Sequence, residues 1–218
     1  MAQAGQELEN ALRERYTQEA CGEDSLSCGG ALSLAAPKPG ERLLDLGCGR
    51  GTEVLQAAGL IGSSGEAVGV DITREMLAEA EKRRKAAGID NALFKLAAME
   101  ALPFADGSFT IVISNCAINH AKVKERVYRE IYRVLALNGR MVVSDVVSRG
   151  MLPDSVTSDP QAWADCFGGA IPEDDYLKTV AAAGFKGVKV LERREYFKNG
   201  YPMASITIKG IRKDDGHE

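Results

Sequence analysis

The chain has 218 residues, 45% of them hydrophobic, and a formal net charge of −4, which suits one α/β domain with a short appendage. No stretch approaches the roughly 20 uninterrupted apolar residues of a membrane helix, and the lack of any long Lys/Arg block argues against a nucleic-acid partner. The N-terminal MAQAGQELENALRERY is polar, with no apolar core before a small-residue cleavage site, so no secretory signal is read and the expected location is the cytoplasm.

Residues 1–40 stand apart from the rest of the chain. NALRERY reads as helical, and CGEDSLSCGGALSLAAPKPG as a Gly/Ser/Pro-containing loop. The expected organisation is a cap over the site (residues 1–40) and one catalytic domain (residues 41–213).

From residue 41 the chain alternates β-branched runs with helical patterns. ERLLDLG is a strand and GTEVLQAAGLIG the helix after it. EAVGVDI is a second strand, and REMLAEAEKRRKAAG an amphipathic helix closed by Gly88. ALFKLAA is a third strand. SFTIVISN is a fourth, continuous and apolar enough to be buried on both faces. KERVYREIYRVLA is a helix with Val127, Ile131 and Val134 at core-facing spacing, Asn138-Gly139 its turn, and RMVVSDVV the fifth strand. Such alternation makes a parallel sheet with right-handed crossovers. An irregular stretch (148–171), a helix over EDDYLKTVAAAG, and the strands VKVLERREYF and YPMASITIKGI complete the chain. Asn199-Gly200 between the last two predicts a hairpin. The expected fold is therefore α/β and Rossmann-like: a seven-stranded, mostly parallel sheet with a C-terminal antiparallel hairpin and helices on both faces.

DLGCGRG (residues 45–51) lies directly after a strand and before a helix. Glycines there let the backbone turn tightly and approach a ligand, toward which the helix points its free N–H groups. Asp71 ends the second strand, where a carboxylate can accept hydrogen bonds from both hydroxyls of a ribose. The spacing is G-x-G-x-G rather than the G-x-G-x-x-G that seats a pyrophosphate, and Asp45 precedes the first glycine by two residues. A ligand with an ammonium group and no phosphate fits that arrangement.

Five cysteines, an odd number, do not read as a disulfide framework, and with only two histidines and no C-x-x-C pair a structural zinc site is not expected. Cys116 follows Asn115 at the carboxyl end of the fourth strand, where open α/β sheets bind ligands. Taken alone, a cysteine there packs more often as a small hydrophobe. Cys166 sits in WADCFGGA, in the irregular stretch, and could pack there or fold over the site. Cys48, inside the glycine loop, reads as one of its small residues.

LLDLGCGRG, VGVD with MLAEA, MEALPFADGSF and IVISN resemble the class I S-adenosylmethionine-dependent methyltransferases across residues 41–146. The resemblance implies that Gly47, Cys48, Gly49 and Gly51 lie along the methionine part of the cofactor. Asp71 would then hold the ribose, Ile72 and Met99 flank the adenine, Met76 and the backbone at Ala98 add contacts, and Asn115 sits near the methionine end. Ala97-Ala98 stand where family members often carry an acidic residue, and Thr110 where most have Asp.

SNCAINH, WADCFGGAIPEDDY, LRERY and CGG more closely resemble the arsenite methyltransferase family, over most of the chain. This implies that Cys116 and Cys166 bind trivalent arsenic; Cys28, in the loop before Gly29-Gly30, is the expected third sulfur. The resemblance further implies a metalloid substrate and a thiol reductant as partners. Ser27-Cys28 stand where family members often have two adjacent cysteines, so Cys21 competes for the third place, and many members continue into a longer C-terminal region. Thiolates are soft ligands for a thiophilic centre. The alternatives are a methyltransferase for a small organic acceptor such as a quinone precursor, and a non-catalytic arsenic- or cofactor-binding module. An organic acceptor would cast His120 as a general base, although a solvated or capping role is the commoner one for such a histidine.

Overall fold

The computed structural model describes residues 14–17 and 30–213. Cys21 and Cys28 lie outside the described residues, as does most of NALRERY; residues 14–17 are helical. In chain order the elements are α1 (Ala31–Ala35), β1 (Arg42–Leu46), α2 (Thr52–Ile61), β2 (Glu66–Asp71), α3 (Arg74–Ala86), β3 (Ala92–Leu96), β4 (Phe109–Asn115), α4 (Lys124–Val134) and β5 (Leu135–Ser148). They continue with α5 (Asp154–Thr157), α6 (Pro160–Ala164), α7 (Glu173–Ala182), β6 (Lys186–Lys198) and β7 (Tyr201–Ile211).

The seven strands form one sheet in the order β3-β2-β1-β4-β5-β7-β6. β7 runs antiparallel to both its neighbours, and the other pairings are parallel. The apolar run of β4 places it at the centre. Ile111 and Ile113 join the core on the α1/α2 side, while Val112 joins the core on the α4/α7 side. The period of two thus feeds two cores from one strand. The strand order reverses between β1 and β4, which opens a crevice at their carboxyl ends. Among the described residues no helix is long and apolar enough to cross a membrane.

Asn199 and Gly200 both have positive φ (51° and 83°), as a two-residue turn matched to strand twist requires. Three segments depart from the sequence-based expectation. ALSLA is helical rather than loop, because Ala31, Leu32 and Ala35 bury an apolar face against β4 and β5; the flanking glycines and prolines masked that short pattern. Asn138-Gly139 is an irregularity inside β5 rather than a turn before it: the β4 pairing breaks between Phe109 and Ile111 and resumes at Arg140. The 148–171 stretch holds two short helices. Of these, α6 has Pro160 at its start and the Asp159 carboxylate accepting from Gln161 N.

Two polar struts fix the carboxyl end of β5. Tyr128 Oη donates to Tyr176 Oη (2.6 Å), which donates to the buried Asp145 Oδ2 (3.0 Å). Asn119 Nδ2 donates to Val146 O at 2.6 Å, pinning the short 3-10 turn Ile118–His120 to the sheet.

Candidate functional site

The crevice between β1 and β4 deepens into a cavity of about 330 Å³. The glycine loop forms its floor. A Cβ on Gly47 would lie 2.4 Å from the Ala117 Cβ, so that glycine lets the loop meet the turn after β4. A Cβ on Gly51 would lie 2.6 Å from the Phe94 ring, so Gly51 serves the packing of α2 on β3.

Among the described residues, three carboxylates line the cavity: Asp45, Glu53 and Asp71. Asp45 is 3% exposed. Burial first, then the negative charges of Glu53 and Asp71, lift its pKa well above the carboxylate range. Burial also raises Glu53 and Asp71. A cation entering the cavity would relieve the repulsion among the three. Asp71 is set by the loop itself: Gly49 N donates to Oδ2 (3.0 Å) and Thr73 N to Oδ1 (2.8 Å). Asp71 stands in the cavity wall, where its carboxylate can meet the hydroxyls of a ligand. Asn115 links two segments, donating from Nδ2 to Glu53 and accepting from Ala31 N at Oδ1. A buried Asp45 with Glu53 and Asp71 in the cavity wall fits a cationic ligand carrying a diol, as S-adenosylmethionine is.

Of the residues expected at a cofactor, Asp45, Gly47, Cys48, Gly49, Asp71, Ile72, Met99 and Asn115 line this one cavity. Gly51, Met76 and Ala98 do not: Gly51 faces Phe94 and Ala80, Met76 is buried beneath the loop, and Ala98 is exposed while Ala97 lines the wall. Cys48 packs on Gly69, and burial, then Asp45 and Asp71, push its thiol up. It is a protonated core residue.

Cys116 and Cys166 line the same cavity. Both hold positive φ (53° and 55°), and the other non-glycine residues that do so among those described are Asn138 at the irregularity in β5, Asn199 in the hairpin turn and Ala36 at a helix end. Strained backbone of this kind gathers at functional sites. Cys116 N donates to Ser144 O at 2.8 Å and Cys166 N to Trp163 O at 3.0 Å, so backbone hydrogen bonds hold both residues. The two glycines after Cys166 are demanded by contact: a Cβ on Gly169 would lie 1.9 Å from Asn119 O, and one on Gly168 2.6 Å from the Trp163 ring. The Cys166 segment is thereby pressed onto the Ile118–His120 turn.

His120 is half-buried there and makes specific contacts, with Nε2 3.4 Å from Cys166 Sγ and 2.9 Å from Tyr16 Oη. Burial, then the charges of Arg15 and Lys124, lower its pKa to about 4, so it is neutral at pH 7. Arg15 pairs with Asp165 (2.8 Å) and with Tyr16 completes the wall. Sequence reading missed Glu53, Tyr16 and the contact of His120 with Cys166. His120 stands four residues after Cys116, but the sulfur it meets is far away in sequence. Glu53 carried a signal in the acid at the first turn of the helix after the glycine loop. Among the described residues no group of three or more His, Cys, Asp or Glu side chains forms a metal cluster.

Comparison with known proteins identifies the family. The methyltransferase domain family matches residues 37–184. The chain is 40% identical over 170 residues to the arsenite methyltransferase of Halobacterium salinarum, covering 78% of this chain and 44% of that protein. It is 36% identical over 168 residues to that of Aquipseudomonas alcaligenes, covering 73% and 49%. The crystal structure of an arsenic(III) S-adenosylmethionine methyltransferase from Chlamydomonas reinhardtii superposes with a TM-score of 0.79 at 32% identity, covering 95% of this chain and 75% of that one. The chain belongs to the methyltransferase domain family and, within it, to the arsenite methyltransferases. It spans about half the length of the Halobacterium and Aquipseudomonas relatives.

Proposed function

We propose that the protein transfers a methyl group from S-adenosylmethionine to trivalent arsenic held by Cys116 and Cys166. The observation that carries this reading is that two cysteines from separate segments, both in left-handed backbone, line one cavity with Asp45, Glu53 and Asp71. When bound, S-adenosylmethionine supplies an electrophilic methyl group. Asp71 would accept from its ribose hydroxyls, Ile72 and Met99 would flank the adenine, and Asp45 with Glu53 would balance its positive charge. The cysteines exchange As–O for As–S bonds, each thiol proton leaving with a hydroxide as water. Thiolate-bound arsenic keeps a lone pair, so no residue has to remove a proton at transfer, and the protein contributes orientation. Transfer leaves arsenic pentavalent, and a thiol reductant returns it to the trivalent state.

Residues 1–40 are read as a cap on a catalytic domain of residues 41–213, supported by Arg15 and Tyr16 in the cavity wall. The test is incubation with labelled S-adenosylmethionine, thiol and arsenite, then separation of arsenic species. Methylated arsenic is the expected product, and its absence with an active cofactor site overturns the reading. An organic acceptor would need a general base, and a His120 with a pKa of about 4 is a weak one at pH 7.

Gly169→Ala should cut arsenic turnover on the order of 10²-fold while S-adenosylmethionine affinity holds, because its methyl group would displace the Cys166 segment from the Asn119 carbonyl. Single-turnover rates beside calorimetry separate the two. Cys28→Ser should impair methylation of arsenite far more than that of trivalent methylarsenite, since a carbon on arsenic leaves only two places for thiolates. Equal losses on both substrates would reject Cys28 as the third sulfur, and a selective loss in Cys21→Ser would move that role to Cys21.

A further inference from the structure

The proposed chemistry needs no base, yet an imidazole is packed against one of its two sulfurs. His120 Nε2, Tyr16 Oη and Cys166 Sγ form a closed triangle with sides of 2.9, 3.4 and 3.7 Å. Each corner comes from a separate segment. His120 is on the turn that Asn119 pins to β5. Cys166 is on the segment that Gly168 and Gly169 press onto that turn. Tyr16 is on the segment that Arg15 ties to Asp165. The Tyr16 and His120 rings meet edge to face, with centroids 5.6 Å apart, so the two polar atoms are fixed relative to each other. A cysteine directs its sulfur through one torsion with three staggered positions. A polar pair on one side of the sulfur selects among them.

We propose that His120, together with Tyr16, is a positioning residue that fixes the direction in which Cys166 Sγ faces the cavity. The inference rests on reading Cys166 as an arsenic ligand. In-line attack by an arsenic lone pair demands that both sulfurs hold the metalloid in one orientation, and a sulfur free to change rotamer would hold it in several. Hydrogen bonding from His120 removes that freedom without moving a proton during transfer.

Two variants and two readouts test this. In His120→Leu, kcat for arsenic methylation should fall on the order of tenfold with S-adenosylmethionine affinity unchanged. His120→Gln, whose amide reaches the position of Nε2, should recover most of the rate. Iodoacetamide labelling of Cys166 without substrate, read by peptide mass spectrometry, should change several-fold in His120→Leu and return in His120→Gln. Unchanged turnover and labelling in His120→Leu would overturn the inference. So would equal losses in both variants with a matching fall in melting temperature, which would mark a packing role. If the wild type makes no methylated arsenic, the acceptor reading fails by itself, and the labelling rates still decide whether His120 orients Cys166.

Discussion

Cys116→Ser and Cys166→Ser should each lower arsenic methylation on the order of 10²-fold or more while S-adenosylmethionine binding stays intact. Serine is nearly isosteric with cysteine, but it is a hard, poorly ionised ligand that does not hold a thiophilic centre. The amides of Gly49 and Thr73 set Asp71, so the cofactor side of the cavity should not register the change. Glycine offers a second pair of variants. Cys116 and Cys166 sit at φ values of 53° and 55°. Glycine adopts that conformation without steric cost, which should offset part of the packing lost with the side chain. Cys166→Gly, at a half-buried position, should therefore stay folded with no arsenic turnover. Thermal unfolding, calorimetry with S-adenosylmethionine and arsenic speciation on the same preparations check this. Full turnover by either serine variant would sink the thiolate reading, whereas loss of cofactor binding in both would mean that the cysteines hold the cavity together.

The sheet was legible because each strand announced itself through local chemistry. The apolar Ile111-Val112-Ile113 inside FTIVISN marks the central strand, and Asn199-Gly200 marks the hairpin. The cavity wall was legible for the same reason, since Asp45, Gly47 and Asp71 stand at or next to strand ends and line it. What the sequence hid depends on contacts between distant segments. His120 shows its role only where the Cys166 segment lands on it, and that landing depends on two glycines whose need appears only beside Asn119 and Trp163. Gly51 has a packing reason that the motif did not show: the Phe94 ring occupies the space beside it. ALSLA is too short for a period to register, and its helix forms because tertiary packing covers it.

Asp71→Ala should weaken S-adenosylmethionine binding by about 3–6 kcal/mol, because two hydrogen bonds to a charged acceptor are lost at about 1.5–3 kcal/mol each. The substitution also strips Gly49 N and Thr73 N of their acceptor, so part of the loss reflects a loosened loop. Asp71→Asn separates the two contributions. Its single oxygen can serve one of those amides, and its NH₂ must face the other donor. The variant also alters the pH dependence in a definite direction. Desolvation, then Glu53 and Asp71, raise Asp45. A raised carboxylate gains charge only as pH climbs above the ordinary range, so wild-type affinity for a cation should rise with pH there. Removing the Asp71 charge removes one of the causes that raise Asp45, and the curve should move to lower pH in Asp71→Asn while its plateau falls. Calorimetric titrations across that range read both effects. Unchanged affinity in a folded Asp71→Ala would reject the ribose placement, and an unshifted curve in Asp71→Asn would mean that Asp45 does not carry the charge that meets the ligand.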